Sequence, residues 1–279
     1  VSIELPEAHI LGEQLNSHLL GKKVVQAQIL NCAKLQKLGF VNKEASDFDI
    51  LVGGKVERVS SRGNVIRVAL DHGVSLILAP EYGGKVLIHS TDDSMPSRFH
   101  LKLSFEDGAF FTVTLSGMGV IKALKNTELA QCYVYSRDFL NGVSPIEGTF
   151  DFKHFHKQLS SRNVNMKTAL VGKDSFLVGL GNSAFQEILF LAEINPKRKA
   201  SELSAIEAKK LFDSIKLVIE ERLRLGGKDS FQDLFGKWGS HESVMGPHMK
   251  CKSCSNCGSR VEHLSLGGGQ VYYCSKCQK

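Results

Sequence analysis

The chain has 279 residues, 42% of them hydrophobic and 23% charged, which suits a globular protein with one large domain or two moderate ones and a small module. No apolar run reaches the roughly 18 residues of a membrane span, and the start lacks the basic patch and apolar stretch of a secretion signal. No membrane association and an intracellular setting, cytoplasm or nucleoid in a bacterium, are therefore expected. The net charge of +6 sits in the tail: residues 1–196 hold 20 basic and 20 acidic side chains, and residues 197–279 hold 15 and 9. That bias suits a polyanionic partner or a solubilising surface.

Near the start, Glu4 precedes a helix and is placed to cap it. Across residues 10–130, "KVERVSSRGNVIRVAL", "VSLILA", "VLIH" and "FHLKLSFEDGAFFTVTL" read as strands joined by tight turns such as Glu106-Asp107-Gly108. "NGVSPIEG" at 141–148 reads as a hinge, and from about 150 the pattern turns helical. Phe152, Phe155 and Leu159 share one helical face. In "LVGLGNSAFQEILF", Gly179 and Gly181 permit tight turns and Asn182 is the expected N-cap of a helix from Ser183. Such a helix start can hold a phosphate, although a plain helical hairpin gives the same pattern. Ser204 and Glu207 form a capping box. Leu211, Ile215, Val218 and Leu225 then make an apolar stripe, read as core, that ends at Gly226-Gly227.

Five of the seven cysteines fall between 251 and 277. A secreted disulfide scaffold would spread them more widely, so metal binding is expected. Cys254 and Cys257 form one C-x2-C pair, Cys274 and Cys277 another, and four thiolates so paired suit one tetrahedral structural zinc ion. "QVYYC" has strand character and "LGGG" marks a turn, so a two-stranded ribbon is expected, held together largely by the metal. Cys251 also makes a C-x2-C with Cys254, which leaves a shifted ligand set open, with His248 and His263 as further alternatives.

The chain resembles the bacterial formamidopyrimidine-DNA glycosylase and endonuclease VIII family of base-excision repair enzymes. The likeness is carried by "ELPEAH" at 4–9, "MKTALVGKDSFLVGLGNSAFQEILF" at 166–190, "NPKRKASELSAIE" at 195–207 and the terminal "YYCSKCQK". It implies an α+β multidomain fold: an N-terminal two-layer β-sandwich with flanking helices at 1–130, a linker at 131–150, a helical domain with a helix-two-turns-helix motif at 151–245, and a C-terminal β-hairpin zinc finger at 246–279. It also implies DNA in a cleft between the halves. Lys167 and Asn182 match the family's phosphate-gripping lysine and asparagine, and Glu187 matches a glutamate downstream.

Other matches fail. The family's nucleophile is a proline amine at the mature amino terminus. Here Glu4 occupies the position of the neighbouring glutamate and Ile3 that of the proline, with Pro6 matching a second, internal proline. An internal amide cannot form an imine. Val1 is a candidate substitute amine, but two extended residues shift it by roughly 7 Å, against the about 3–3.5 Å that reacting atoms require. Glu4 remains a candidate for activating water. In "SRGNV", Asn64 replaces a sandwich lysine that touches a phosphate. "APEYGG" and "LSGMG" stand where the family has wedge residues, which suggests Tyr82 and Met118, with Gly117 replacing an arginine. Gly269 replaces the finger arginine and leaves Gln270 as a neutral substitute. The resemblance therefore implies a monomeric DNA glycosylase with weakened or absent lyase activity, acting on damaged, abasic, single-stranded or gapped DNA. The alternatives are an inactive binder of damaged DNA and a protein-interaction scaffold that retains the fold.

Overall fold

The computed structural model describes residues 2–81, 83–90 and 95–279. They form two compact units, Val1–Asn141 with Leu225–Ser240, and Gly142–Arg224 with His241–Lys279.

The first unit opens with helix α1 (Leu5–Leu19), with Pro6 in its first turn, where a missing N–H costs nothing. After β1 (Val24–Ile29) and a short α2 (Ala33–Lys37) come β2 (Val56–Arg62), β3 (Val65–Leu70), β4 (Val74–Ala79), β5 (Lys85–His89), β6 (Leu101–Phe105), β7 (Phe110–Thr114) and β8 (Val120–Lys125). Among the described residues these strands make two four-stranded antiparallel sheets, ordered β1-β6-β7-β5 and β2-β3-β4-β8. Leu76 and Leu78 of one sheet and Leu101, Leu103, Phe111 and Val113 of the other share one core with Leu11, Leu15 and Leu19 of α1. A Cβ at Gly12 would stand 2.9 Å from Ser61 of β2, so the missing side chain lets α1 lie close on its sheet. The expected 106–108 turn is present, with Gly108 at φ 84°.

Two boundaries differ from the sequence expectation. Residues 131–141 are not a free linker: α3 (Tyr133–Tyr135) and the wide turn Ser136–Leu140 pack onto the sheet, with Val134, Tyr135 and Asp138 buried. Residues 225–240 belong to the first unit rather than to the helical domain. Phe231 and Leu234 enter its core, and Gln14 of α1 bonds Asp233 and the Leu234 N–H at 3.0 Å each.

The second unit contains α4 (Phe152–Ser160), α5 (Met166–Leu170), α6 (Asn182–Leu191), α7 (Ala205–Arg224), and the ribbon β9 (Glu262–Leu266) and β10 (Gly269–Tyr273). Phe155 and Leu159 are buried on one face of α4 as expected, and Phe155 meets Phe150 and Phe212. The capping box is formed, with Glu207 Oε2 accepting from the Ser204 N–H at 2.8 Å and the Glu207 N–H donating to Ser204 Oγ at 3.3 Å. The apolar stripe of α7 buries Leu211, Ile215 and Val218. The helix stops at Arg224, before Leu225 and the positive-φ pair Gly226-Gly227.

Between α6 and α7, Glu187 is 2% exposed and pairs with fully buried Arg222 at 2.9 Å and with His241 at 3.0 Å. Burial alone would push the Glu187 carboxyl up, but its bond to His241 and the charge of Arg222 outweigh that and hold it below its usual value. The ribbon docks on α6 through Tyr272 N–H to Gln186 Oε1 at 2.7 Å, and shares a small core of Phe190, Met245, Val261 and Tyr272. The ribbon, expected to bury no hydrophobic core and to be held largely by a metal, thus also has apolar packing and a hydrogen bond to α6. Among the described residues, no helix is long and apolar enough to cross a membrane.

Arg222→Met should lower the urea unfolding free energy by about 3–5 kcal/mol, because it leaves a buried carboxylate short of its cation. The hydrogen bond from Arg198, opposed by slight burial and helped by Ser204, depresses the Glu207 carboxyl from 4.5 to about 2. A depressed carboxylate stabilises the fold above its unfolded pKa and loses that contribution as pH falls through the folded one. The melting-temperature gap between the wild type and Glu207→Gln should therefore be constant above about pH 5 and close towards pH 2, as read by thermal scans across that range.

Candidate functional site

In the first unit the start of α1 is buried. Ile3, 4% exposed, is part of the core, and Glu4, 1% exposed, is the N-cap of α1. The Glu4 N–H donates to Glu7 Oε2 at 3.0 Å. Glu7, fully buried, lies 3.8 Å from the ammonium of Lys228, itself 2% exposed. Neither Glu7 nor Lys228 stands out in the sequence as a site residue, because nothing local links positions so far apart. Val1 and Tyr82 lie outside the described residues.

Asn64 sits in a polar cluster. Its N–H donates to Asp138 Oδ2 at 3.0 Å, its Oδ1 accepts from Arg137 at 2.6 Å, and its Nδ2 lies 3.4 Å from Glu81 Oε1. Arg137 thus brings a cation to position 64 from a distant segment. Burial would lower its pKa, but its ion pair with Asp138 raises it above the ordinary value. A Cβ at Gly63 would stand 2.3 Å from Asp138 Oδ2, so this turn accepts Asp138 only because residue 63 is glycine, at φ 60°. Met118 is exposed on the loop before β8, as is Gly117.

In the second unit Lys167 and Asn182 come together against the ribbon turn. Gly267 and Gly268 both have positive φ, 52° and 76°, as a two-residue hairpin turn of the primed type demands. Lys167, on α5 and 6% exposed, donates to the Leu266 carbonyl at 2.7 Å, and Asn182 Nδ2 donates to the Gln270 carbonyl at 2.8 Å. A side chain at Gly269 would begin 3.1 Å from Lys167 Nζ and 3.8 Å from the Asn182 amide, so the side-chain-free tip leaves both an uncrowded approach to the ribbon. Burial holds the Lys167 amine below its usual value. Asn182 is not the cap that the sequence suggests. The cap is Gly181, and Asn182 is the first helical residue, which frees its side chain for the ribbon. Gln270 is exposed and bonds Ser265 Oγ across the ribbon at 2.9 Å. Glu187 is a partner of Arg222 within the core and does not face this turn.

Among the described residues, one group of side chains is spaced to hold a metal: Cys254, Cys257, Cys274 and Cys277, with all ligand atoms within 4.8 Å of one another. Cys254 and Cys277 are 3.8 Å apart and Cys257 and Cys274 3.5 Å. A tetrahedral ion at ordinary metal–sulfur distances sets its sulfurs roughly 3.8 Å apart, so the donor set and its spacing fit. Cys251 lies outside the group, exposed at φ 61°, with Arg260 at 3.8 Å from its sulfur. His248 and His263 are not in the group either.

Two family models match. That for the formamidopyrimidine-DNA glycosylase N-terminal domain covers residues 3–114, and that for the formamidopyrimidine-DNA glycosylase H2TH domain covers residues 142–233. The chain belongs to the formamidopyrimidine-DNA glycosylase family. Similar proteins include the formamidopyrimidine-DNA glycosylase of Streptococcus mutans, 26% identical over 99% of each chain, and that of Pelotomaculum thermopropionicum, 27% identical over 99% of each. The fold is shared with the MutM (Fpg) protein of Thermus thermophilus, at a TM-score of 0.83 and 22% identity over 99% of this chain and 98% of the other. It is shared equally with Lactococcus lactis Fpg in complex with DNA containing an abasic site, at 0.84 and 22% over 99% of each.

The ligand set predicts metal stoichiometry. The wild type and Cys251→Ser should each carry one metal ion per chain by elemental analysis, and Cys257→Ser none. Metal retained by Cys257→Ser and lost by Cys251→Ser would mark the shifted set instead.

Proposed function

We propose that this chain is a base-excision repair protein that binds damaged or abasic DNA, with one structural zinc ion in its four-cysteine ribbon. The observation that carries the reading is the convergence of Lys167, Asn182 and a glycine-tipped turn at the start of α6. A helix N-terminus with an adjacent ammonium is suited to a phosphate, whose contacts position a backbone without reading sequence. The carbonyl of Leu266 takes one of the three donors of Lys167, and the rest serve a phosphate once the turn yields. Relatives named as formamidopyrimidine-DNA glycosylases, and a fold neighbour solved on abasic-site DNA, support DNA as the partner. Zinc suits four thiolates at tetrahedral spacing, and when bound it closes the ribbon that presents the turn.

Ile3 favours a second reading, in which the protein binds lesions without the family's amine-driven step. Its nitrogen is an internal amide and its side chain is packed in the core. Glu4, buried at the N-cap of α1, is the carboxylate we assign to moving a proton if a base is removed. In the first unit Asn64 with Arg137, and exposed Met118 with Tyr82, are the further residues we assign to the DNA. Gln270 on the ribbon is assigned to a neutral phosphate contact.

Fluorescence anisotropy with an abasic-site duplex at several salt concentrations tests the grip. Lys167→Ala should weaken binding about 10- to 100-fold, the value of a charge-assisted hydrogen bond, and reduce the log–log salt slope by about 0.9. Unchanged affinity and slope would remove Lys167 from the interface.

A further inference from the structure

The first unit hides an amine beside the segment where the family's terminal amine would lie. Lys228 Nζ donates to the carbonyl oxygen of Ser2. That carbonyl belongs to the peptide whose nitrogen is that of Ile3, so the ammonium lies within about 5 Å of the Ile3 nitrogen. One oxygen of Glu7 is 3.8 Å from the ammonium, and the other accepts the Lys228 N–H at 3.3 Å. The approach depends on Gly227, at φ 92°: a Cβ there would stand 2.5 Å from the Phe231 ring and 3.3 Å from Glu7 Cγ. Lys228 also lines a cavity of about 40 Å³ together with Ser2, Ile3 and Trp238, and Trp238 is 54% exposed. The cavity is space for about one water, next to an ammonium with a carboxylate in reach.

We infer that Lys228 supplies the amine that Ile3 cannot, and forms an imine with the aldehyde of an opened abasic sugar. This rests on the DNA reading above. Glu7 accepts a proton from the ammonium, and the freed amine forms an N–C bond to the aldehyde carbon as the carbonyl oxygen takes up a second nitrogen proton. Glu7 returns its proton to that oxygen, the C–O bond breaks and water leaves. The ammonium and the aldehyde thus become an iminium and water. Charge is conserved and no oxidant or reductant is needed.

The test is borohydride reduction of the full-length, zinc-loaded protein on an abasic-site duplex, followed by digestion and mass mapping of the adduct. Binding to the same duplex is measured in parallel by anisotropy. The expected result is an adduct on Lys228 of the wild type and at least a 100-fold loss of covalent product in Lys228→Arg, which keeps a cation opposite Glu7 but forms no imine. An adduct on the first residue of the chain, or one that persists in Lys228→Arg, overturns the inference. Binding without any adduct overturns the inference alone, whereas no binding overturns it together with the DNA reading. The wild-type map needs no variant to fold.

Discussion

A carboxylate taken out of water is costly unless a cation or hydrogen bonds accompany it, and each unit of this protein holds a buried pair that joins distant segments. In the first, Glu7 leaves solvent because α1 packs its early face into the sandwich, and Lys228 answers it. In the second, Glu187 is buried by the packing of α6 on α7, and Arg222 and His241 answer it. Such pairs gain little net stability, because two desolvation penalties oppose one attraction. What they impose is selectivity, since an arrangement that buried one partner without the other would be costly by several kcal/mol. The Glu7–Lys228 pair therefore helps explain why a stretch that follows α7 in sequence packs with the first unit. The segment 225–240 carries the required cation, and Phe231 and Leu234 add apolar burial beside it.

The second unit applies a related constraint to its ribbon. Two antiparallel strands alone are marginal, so this pair depends on the cysteine cluster at one end and on α6 along one edge. Gln186 takes the Tyr272 N–H, and Gln278 bonds the Ile194 carbonyl at 2.9 Å. At the other end the ribbon has no side chain at Gly267, Gly268 or Gly269, and it rests on Lys167 and Asn182. Glycine at 269 thus has two effects. It leaves the tip without a side-chain donor, and it eases the approach of the ribbon to a buried ammonium whose charge is only partly met by a neutral carbonyl. An anion is a better partner for that ammonium than Leu266, because it brings a full opposite charge to the same distance.

The features legible in the sequence were those whose cause is local. A capping box spans three residues and is read from Ser204 and Glu207. A metal site is read from two C-x2-C pairs because the spacing alone turns both sulfurs of a pair to one side. A hairpin is read from successive glycines because positive φ selects them. The errors arose where the cause is distant. Asn182 has the chemistry of a cap, but the ribbon carbonyl at 270 competes for its amide, and Gly181 takes the cap position instead. Asn64 reads as the loss of a cation until Arg137, 73 residues later, is seen to donate to it. Lys228 is invisible because its partner Glu7 is 221 residues away. Periodicity carries no information about such pairs.

Ile3 acts through its side chain as well as through its amide nitrogen. The Ile3 side chain lies in the core with Leu11 and Leu15. Burying an isoleucine side chain is worth about 1.5–3 kcal/mol, so Ile3 anchors the segment that leads into α1. An anchored segment holds the Ser2 carbonyl in place, and a fixed carbonyl positions the ammonium of Lys228 with Glu7 on its other side. Here the corner is filled by Ile3, and the charge that remains there belongs to a side chain from position 228.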